Sequence, residues 1–367
     1  MIAPLLASLF IAAAPVTFDA ESHSVTFTAT STDCGLDMQL EFLFVGPNSD
    51  RDYESMFVTD ASVKEIAEAF DKAGIPRGRF IDAAASRFWP AGDVLQMKPA
   101  FAELVREMRG EKVPPVIYTG GTRDKTGLPE AETNMPAAVF ALYGCGQSLV
   151  HLDDSLDQSV TYGRFQPAVK IPKGERREFT FTWDGKKFWE PHTMKLERGK
   201  IAEELASLKE HSSRCEVDVT ADFSGDLTVA EAAVFAQAIA MVDSSRVKIN
   251  GFPEGQLFYR AYLPMEKWRD RRERLSQPPE VHFRPDGTLT VVHVKEDWSD
   301  ENSLDPKLTP EEFVFTDVAA AAAKTEALAA RTSTVLMFAP ADTKLSRVFE
   351  FRRGVKGSVA TWYVFQE

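Results

Sequence analysis

A strand-like run, Leu40-Glu41-Phe42-Leu43-Phe44-Val45, breaks at Gly46-Pro47-Asn48-Ser49-Asp50 and leads into Asp52-Tyr53-Glu54-Ser55. Those last four residues offer two carboxylates, a phenol and a hydroxyl. Carboxylates whose pKa values are driven apart by burial can divide acid and base work between them. Tyr53, Glu54 and Ser55 are therefore candidate ligand contacts, and Tyr118, just ahead of Gly120-Gly121, is a fourth. A structural role competes with this. Neighbours on an extended segment face opposite sides, and Glu54 and Ser55 can equally satisfy turn amides or a helix end. The sequence assigns no catalytic residue.

Other constellations fall short of a recognised chemistry. Gly120-Gly121-Thr122-Arg123-Asp124-Lys125 is glycine followed by charge. A phosphate cradle needs a helix directly after it, and here Gly127-Leu128-Pro129 follow, which reads as a turn. Tyr143-Gly144-Cys145-Gly146-Gln147-Ser148 has two of the three dinucleotide glycines, but Leu149 stands at the third position. No GxSxG elbow occurs. The histidines His23, His151, His192, His211, His282 and His293 never fall at i,i+3 or i,i+4, and no HExxH is present. His151 with Asp153 and Asp154 holds donor types for one metal ion, beside the plainer reading of an exposed turn. Val281–Phe283 and Leu289–Val294 flank Asp286-Gly287 as a hairpin, which can set His282 against His293. Lys267 to Arg274 is basic around Trp268, and its i,i+4 charge pairs read as a solvated helix. Without a CxxC, a zinc ribbon or a cysteine-ligated cluster is not supported. Neither a cofactor nor a metal is expected.

The elements that must position these residues follow from pattern. Ser62 and Glu65 form a capping box. Val63, Ile66, Ala67, Phe70 and Ala73 make an apolar stripe, and Gly74 with Pro76 ends the helix. Short alternating runs surround it, among them Met38–Val45, Val94–Met97, Val116–Thr119, Ala138–Tyr143 and Glu178–Trp183. Beyond them come an amphipathic helix over Lys200–Arg214 and a strand over Cys215–Phe223. A helix over Thr228–Val242 follows, with Glu231 completing its cap. The expected fold class is α+β: a β-rich N-terminal domain with one prominent helix, followed by α/β-type C-terminal segments. The divisions read as a signal-like segment over 1–16, a domain over 17–190, a middle α+β segment over 214–278 and a C-terminal α/β unit over 279–367.

A chain of 367 residues supports two or three such domains. Its net charge of -13 repels phosphate backbones and anionic lipid, leaving a protein or small-molecule ligand as the expected partner, with no nucleic acid. Met1–Val16 carries no charged side chain and is too short to span a bilayer. With Ala12, Ala13 and Ala14 it suits a secretory signal, which places the protein in the periplasm or another extracytoplasmic space. In that setting Cys34 and Cys145 are the candidate disulfide and Cys215 is left over. The alternative is three small buried thiols.

Leu40-Glu41-Phe42-Leu43-Phe44-Val45, Asp52-Tyr53-Glu54-Ser55-Met56-Phe57-Val58-Thr59, the helix ending at Gly74 and Gly78, Tyr118-Thr119-Gly120-Gly121 and Ala138–Leu152 together resemble the YdjY-type domain of exported bacterial proteins, over about residues 17–185. The resemblance implies an extracytoplasmic setting and no established reaction. The order of elements over Val281–Phe365 is similar to the periplasmic domain of ExbD/TolR-type proteins, which implies an interaction surface. Those proteins carry a membrane helix just before the domain, and this chain has none there. The expectation is an exported, non-enzymatic binding or scaffold protein. The alternatives are an extracytoplasmic hydrolase using carboxylates and a metal-dependent module.

Overall fold

The computed structural model describes residues 14–81, 89–124, 126–133, 137–154, 162–251, 257–259, 278–297, 299, 307–329, 334–356 and 361–367. The basic stretch Lys267–Arg274 lies outside them. Strands and helices are both present, and the fold is mainly β. The described chain forms two compact units. One holds the residues up to Ile81 and from Pro90 to Lys187, the other Trp89 and Phe188–Glu367.

The first unit contains β1 (Val16–Asp19), β2 (Ser24–Ser31), β3 (Phe42–Val45), β4 (Ser55–Thr59), α1 (Val63–Lys72), β5 (Leu95–Lys98), α2 (Phe101–Leu104), β6 (Val105–Glu107), β7 (Val116–Tyr118), β8 (Ala138–Ala141), β9 (Val150–Leu152), β10 (Phe165–Pro167) and β11 (Arg176–Trp183). Its main sheet runs β5-β11-β2-β4-β3-β8-β9-β7, with β1 paired to β2. An antiparallel bridge from Val94 to Ile117 brings the two outer strands together, so the sheet closes part-way on itself. Its inner face is filled with rings. Phe27, Phe44, Phe57, Phe140, Phe179 and Phe181 are fully buried and pack mainly edge-on or tilted, the geometry aromatic quadrupoles favour.

Helix α1 forms where its sequence signals place it. The Ser62 hydroxyl accepts from the Glu65 amide at 3.2 Å, and Glu65 accepts from the Ser62 amide at 2.8 Å. Gly74 ends the helix at φ 71°, a conformation costly for any residue with a Cβ. Val63, Ile66, Ala67 and Phe70 are buried, and the Phe70 ring stacks on Tyr118 with centroids 4.3 Å apart. The strand expected from Met38 begins only at Phe42. Before that point the backbone bonds elsewhere, Leu40 to the Phe165 carbonyl at 3.0 Å and Glu41 to that of Glu54 at 3.1 Å.

The second unit begins with β12 (Trp189–Leu196), α3 (Ile201–Ser212), β13 (Glu216–Phe223), α4 (Val229–Ala240) and β14 (Val247–Gly251). The three strands are parallel and adjacent in chain order, with the helical crossovers that parallel pairing requires. Then follow β15 (Leu257–Tyr259), β16 (Glu280–Phe283), β17 (Leu289–Asp297), β18 (Lys307–Phe315), α5 (Val318–Ala329), β19 (Thr334–Ala339), α6 (Leu345–Gly354) and β20 (Thr361–Gln366). Their sheet is ordered β15-β20-β19-β16-β17-β18. One apolar core joins Met194, Val217 and Val219 to Val281, Phe283, Val335 and Trp362. The stretches read separately as 214–278 and 279–367 therefore share a core. Helix α4 starts at a second capping box, Thr228 with Glu231. The Arg198 guanidinium grips Glu231 with Nε at 3.0 Å and Nη2 at 2.7 Å. That fork, then the cap amide, draws the Glu231 carboxyl down to about 2. Among the described residues no helix is long and apolar enough to cross a membrane.

The hairpin of β16 and β17 forms, but it does not set its histidines against each other. His282 pairs across with Thr290 and His293 with Glu311 of β18. Alternation along β17 puts the two imidazoles on opposite faces.

Candidate functional site

Three of the four candidate residues lie together at the entry to β4. Asp52–Glu54 form a single 3-10 turn that lifts Tyr53 into solvent, 62% exposed. Arg51 holds this corner. Its Nη1 donates to the Tyr53 phenol at 2.7 Å and to Glu54 Oε1 at 2.9 Å. The Ser55 side chain is buried, and its hydroxyl donates to the Phe57 carbonyl at 2.9 Å. It is spent on its own strand.

Burial raises the Glu54 carboxyl, and the nearby Glu41 raises it further, while Arg51 pulls it back. Glu41 is brought there by the bond from its amide to the Glu54 carbonyl, where the chain entering β3 runs beside that entering β4. The Tyr143 phenol is pushed up by burial, then by Cys145, with Glu41 and Glu54 adding to it. The corner thus combines two carboxylates with two phenols and a guanidinium. Such a group can hold and release a proton or take a cationic or hydrogen-bonding ligand. Arg51, Glu41 and Tyr143 were missed in the sequence. A carboxylate set between Leu40 and Phe42 was the signal for Glu41. Nothing local marks Tyr143, because the pairing of β3 with β8 puts it there: its ring packs on Phe42 at 5.6 Å.

Tyr118 does not join them. It ends β7, and β3, β8 and β9 stand between its strand and β4, four spacings of about 4.8 Å along the sheet. Its ring is fully buried, and burial, with Asp71 second, pushes its phenol up. The amides of the adjoining turn are all used internally: Thr119 and Gly120 to the Leu149 carbonyl at 2.9 and 3.1 Å, and Thr122 to that of Gly146 at 3.0 Å. Gly121 donates to the Thr119 hydroxyl at 3.4 Å. The glycine pair shapes a turn and offers no free amides to a phosphate.

The proposed Cys34–Cys145 disulfide is absent; all three cysteines are free thiols. Cys34 packs in the inner aromatic core and donates to the Ser55 carbonyl at 3.2 Å. Cys145 packs against Phe42, Val45, Ala138 and Ala141, a separate cluster. His151 is not in an exposed turn either. Its ring is buried against the Ser148 carbonyl at 2.9 Å, and burial lowers it to about 4. Asp154 pairs with Arg164 at 2.7 Å. Among the described residues no group of three or more His, Cys, Asp or Glu is placed to hold a metal ion.

The second unit holds two polar clusters that the sequence did not single out. His282 lies between Glu367, 2.5 Å from Nδ1, and Glu280, 3.2 Å from Nε2, with its ring stacked on Phe338. His192 and His211 stack with centroids 4.6 Å apart, and Glu190 is 3.4 Å from His211 Nε2. The pairs Glu190/His192 and Glu280/His282 were readable as i,i+2 positions on one strand face. Their partners His211 and Glu367 come from distant elements.

No family model matches the chain, and no curated protein is found to resemble it.

Proposed function

We propose that this is an exported binding or scaffold protein whose first unit is a YdjY-type domain. One observation carries the non-enzymatic part of this reading. The side chains best suited to acid–base or nucleophilic chemistry are committed to structural bonds, Glu54 to Arg51 and the Ser55 hydroxyl to the Phe57 carbonyl. The finer architecture supports the family reading: a β-rich first unit carries one prominent helix, and an α/β arrangement follows it. The likeness of the region after Val281 to ExbD/TolR-type domains supports a role for the second unit in protein contacts.

A hydrolase is the second reading, favoured by one observation: burial and Glu41 raise the Glu54 carboxyl. Chromogenic ester, glycoside and phosphoester substrates separate the two. We expect no turnover by the purified chain beyond that of Glu54→Gln. Turnover that disappears in Glu54→Gln, with circular dichroism and melting temperature unchanged, would sink the binding reading.

Export rests on the apolar run Met1–Val16. Expressed with a C-terminal tag in a bacterial host, the protein is expected in the osmotic-shock fraction, with a new N-terminus following Ala12-Ala13-Ala14. Retention in spheroplasts with Met1 intact refutes this.

A further inference from the structure

Arg123 leaves the turn after Tyr118 in a tightly built loop. Its backbone bridges to Pro129, and Asp124 Oδ1 accepts from the Thr126 and Leu128 amides at 2.8 and 3.0 Å. The Arg123 Nη1 is used on the Gly127 carbonyl at 3.2 Å. Its Nε and Nη2 are buried and have no hydrogen-bond partner among the described residues, and the same holds for the Thr122 hydroxyl. The Tyr118 phenol makes no well-formed bond either; Arg77 approaches its oxygen, which leaves the O–H without an acceptor. Arg123 and Arg77 both lie close enough to the phenol to act on its charge. Arg77 is committed to Asp71, with Nε 2.8 Å from Oδ1 and Nη2 on Oδ2.

Buried donors on a charged group without an acceptor are costly, and native folds rarely leave several of them side by side. The pair on Arg123 has a definite shape. Nε and Nη2 form the side-on edge of a guanidinium, two parallel donors that match two oxygens of one carboxylate or phosphate. Among the described residues that edge is used in just this way from Arg77 to Asp71 and from Arg198 to Glu231. The turn is tight beside the phenol: a Cβ on Gly120 would lie 3.2 Å from Arg77 Cδ and 3.6 Å from the Tyr118 oxygen, so glycine keeps a side chain out of the gap between them. Gly121 holds the turn, since a Cβ there would meet the Gln147 carbonyl at 2.4 Å.

We propose that Arg123, Tyr118 and Thr122 form a receptor for one oxyanion, the carboxylate or phosphate group of a small molecule. The inference deepens the binding reading and rests on it. Arg123 receives the anion side-on, and the phenol and hydroxyl donate to its remaining lone pairs. Arg77, neutralised by Asp71, borders the site and leaves Arg123 as the charge the ligand meets.

The test is titration of the full chain, separately with inorganic phosphate and with acetate, followed by the Arg123 Nε–H resonance in nitrogen–proton spectra and by calorimetry. At least one anion is expected to shift that resonance saturably. Binding of phosphate alone assigns a phosphate ligand, of acetate alone a carboxylate, and of both the shared oxyanion chemistry. Arg123→Gln should weaken binding by roughly 10- to 100-fold, the range for hydrogen bonds to a charged group. Tyr118→Phe keeps the ring stacked on Phe70 and removes one donor, for a loss of about two- to tenfold. If neither anion moves the Arg123 resonance, or if folded Arg123→Gln and Tyr118→Phe bind as well as the parent chain, the proposal is overturned. Hydrolytic turnover would defeat the binding reading but leave these titrations unaffected, so the two failures are distinguishable.

Discussion

Arg164→Ala is expected to lower the stability of the first unit by about 3–5 kcal/mol, the cost of breaking a buried ion pair from one side. The Arg164 side chain is 3% exposed and meets Glu107 at 3.4 Å, Asp154 at 2.7 Å and Glu111 at 3.1 Å. Its guanidinium also lies 5.0 Å from the centroid of the Phe165 ring. Glu107, 5% exposed, takes the Arg109 and Glu111 amides on its other oxygen at 2.9 Å each. Removal of the arginine leaves this carboxylate buried without its cation. The loss should depend on pH. Burial pulls the Glu107 carboxyl up, but the two amides and Arg164 outweigh it, so its folded pKa lies below the ordinary 4.5. A group depressed in the folded state contributes fully above its unfolded value and loses that contribution as pH falls through the folded one. The gap between parent and variant in urea denaturation is therefore expected to be widest near neutrality and to narrow below about pH 4.5. A difference under about 1 kcal/mol at pH 7 would mean that the network stabilises no more than a surface pair does.

Phe44→Ala is expected to cost a similar 3–5 kcal/mol, by a different route. Phe44 is fully buried, and its ring centroid lies 4.7 Å from Phe179, 5.3 Å from Phe27, 5.5 Å from Phe57, 6.2 Å from Phe181 and 6.5 Å from Phe140. Those five rings come from four strands, all different from that of Phe44. Truncation opens a cavity where the sheet folds over on itself, and strands fixed in register cannot collapse to fill it. Phe44→Leu keeps most of the volume and should lose less. Denaturation by urea, followed by near-ultraviolet circular dichroism, checks both. If alanine and leucine prove equally mild, Phe44 is not the centre of this core.

Much of the local structure was legible in the sequence. Ser62 with Glu65, Thr228 with Glu231, and the stop at Gly74 are signals carried within a few residues, and each appears as a cap or terminus. The burial of Val63, Ile66 and Phe70 followed from a period of 3.6. Sheet order was not legible. Periodicity says which face of a strand is apolar and nothing about its neighbour. Glu41 meets Glu54, and Tyr118 lies far along the sheet from Tyr53, only because β3 pairs with β4 while β7 joins through β9. The disulfide expectation failed for the same reason. Cys34 and Cys145 share a unit, but they pack in different apolar clusters, a fact no spacing contains. The donor edge of Arg123 was hidden differently: its residues are close in sequence, but only the bond from Nη1 to Gly127 shows which edge remains.

The pairing of β2 with β11 sets a timetable for this chain. Thr26 meets Thr180 across that pair at 2.9 Å, so β2 waits for its neighbour on that side until a segment made some 154 positions later. At about 5–20 residues per second of synthesis, that is on the order of ten to thirty seconds during which Val25 and Phe27 have no strand on that side. The capped helix can form within microseconds of emerging, yet the wall it packs against cannot. The first unit is therefore a late folder by topology, with an interval in which chaperones would find its phenylalanines exposed.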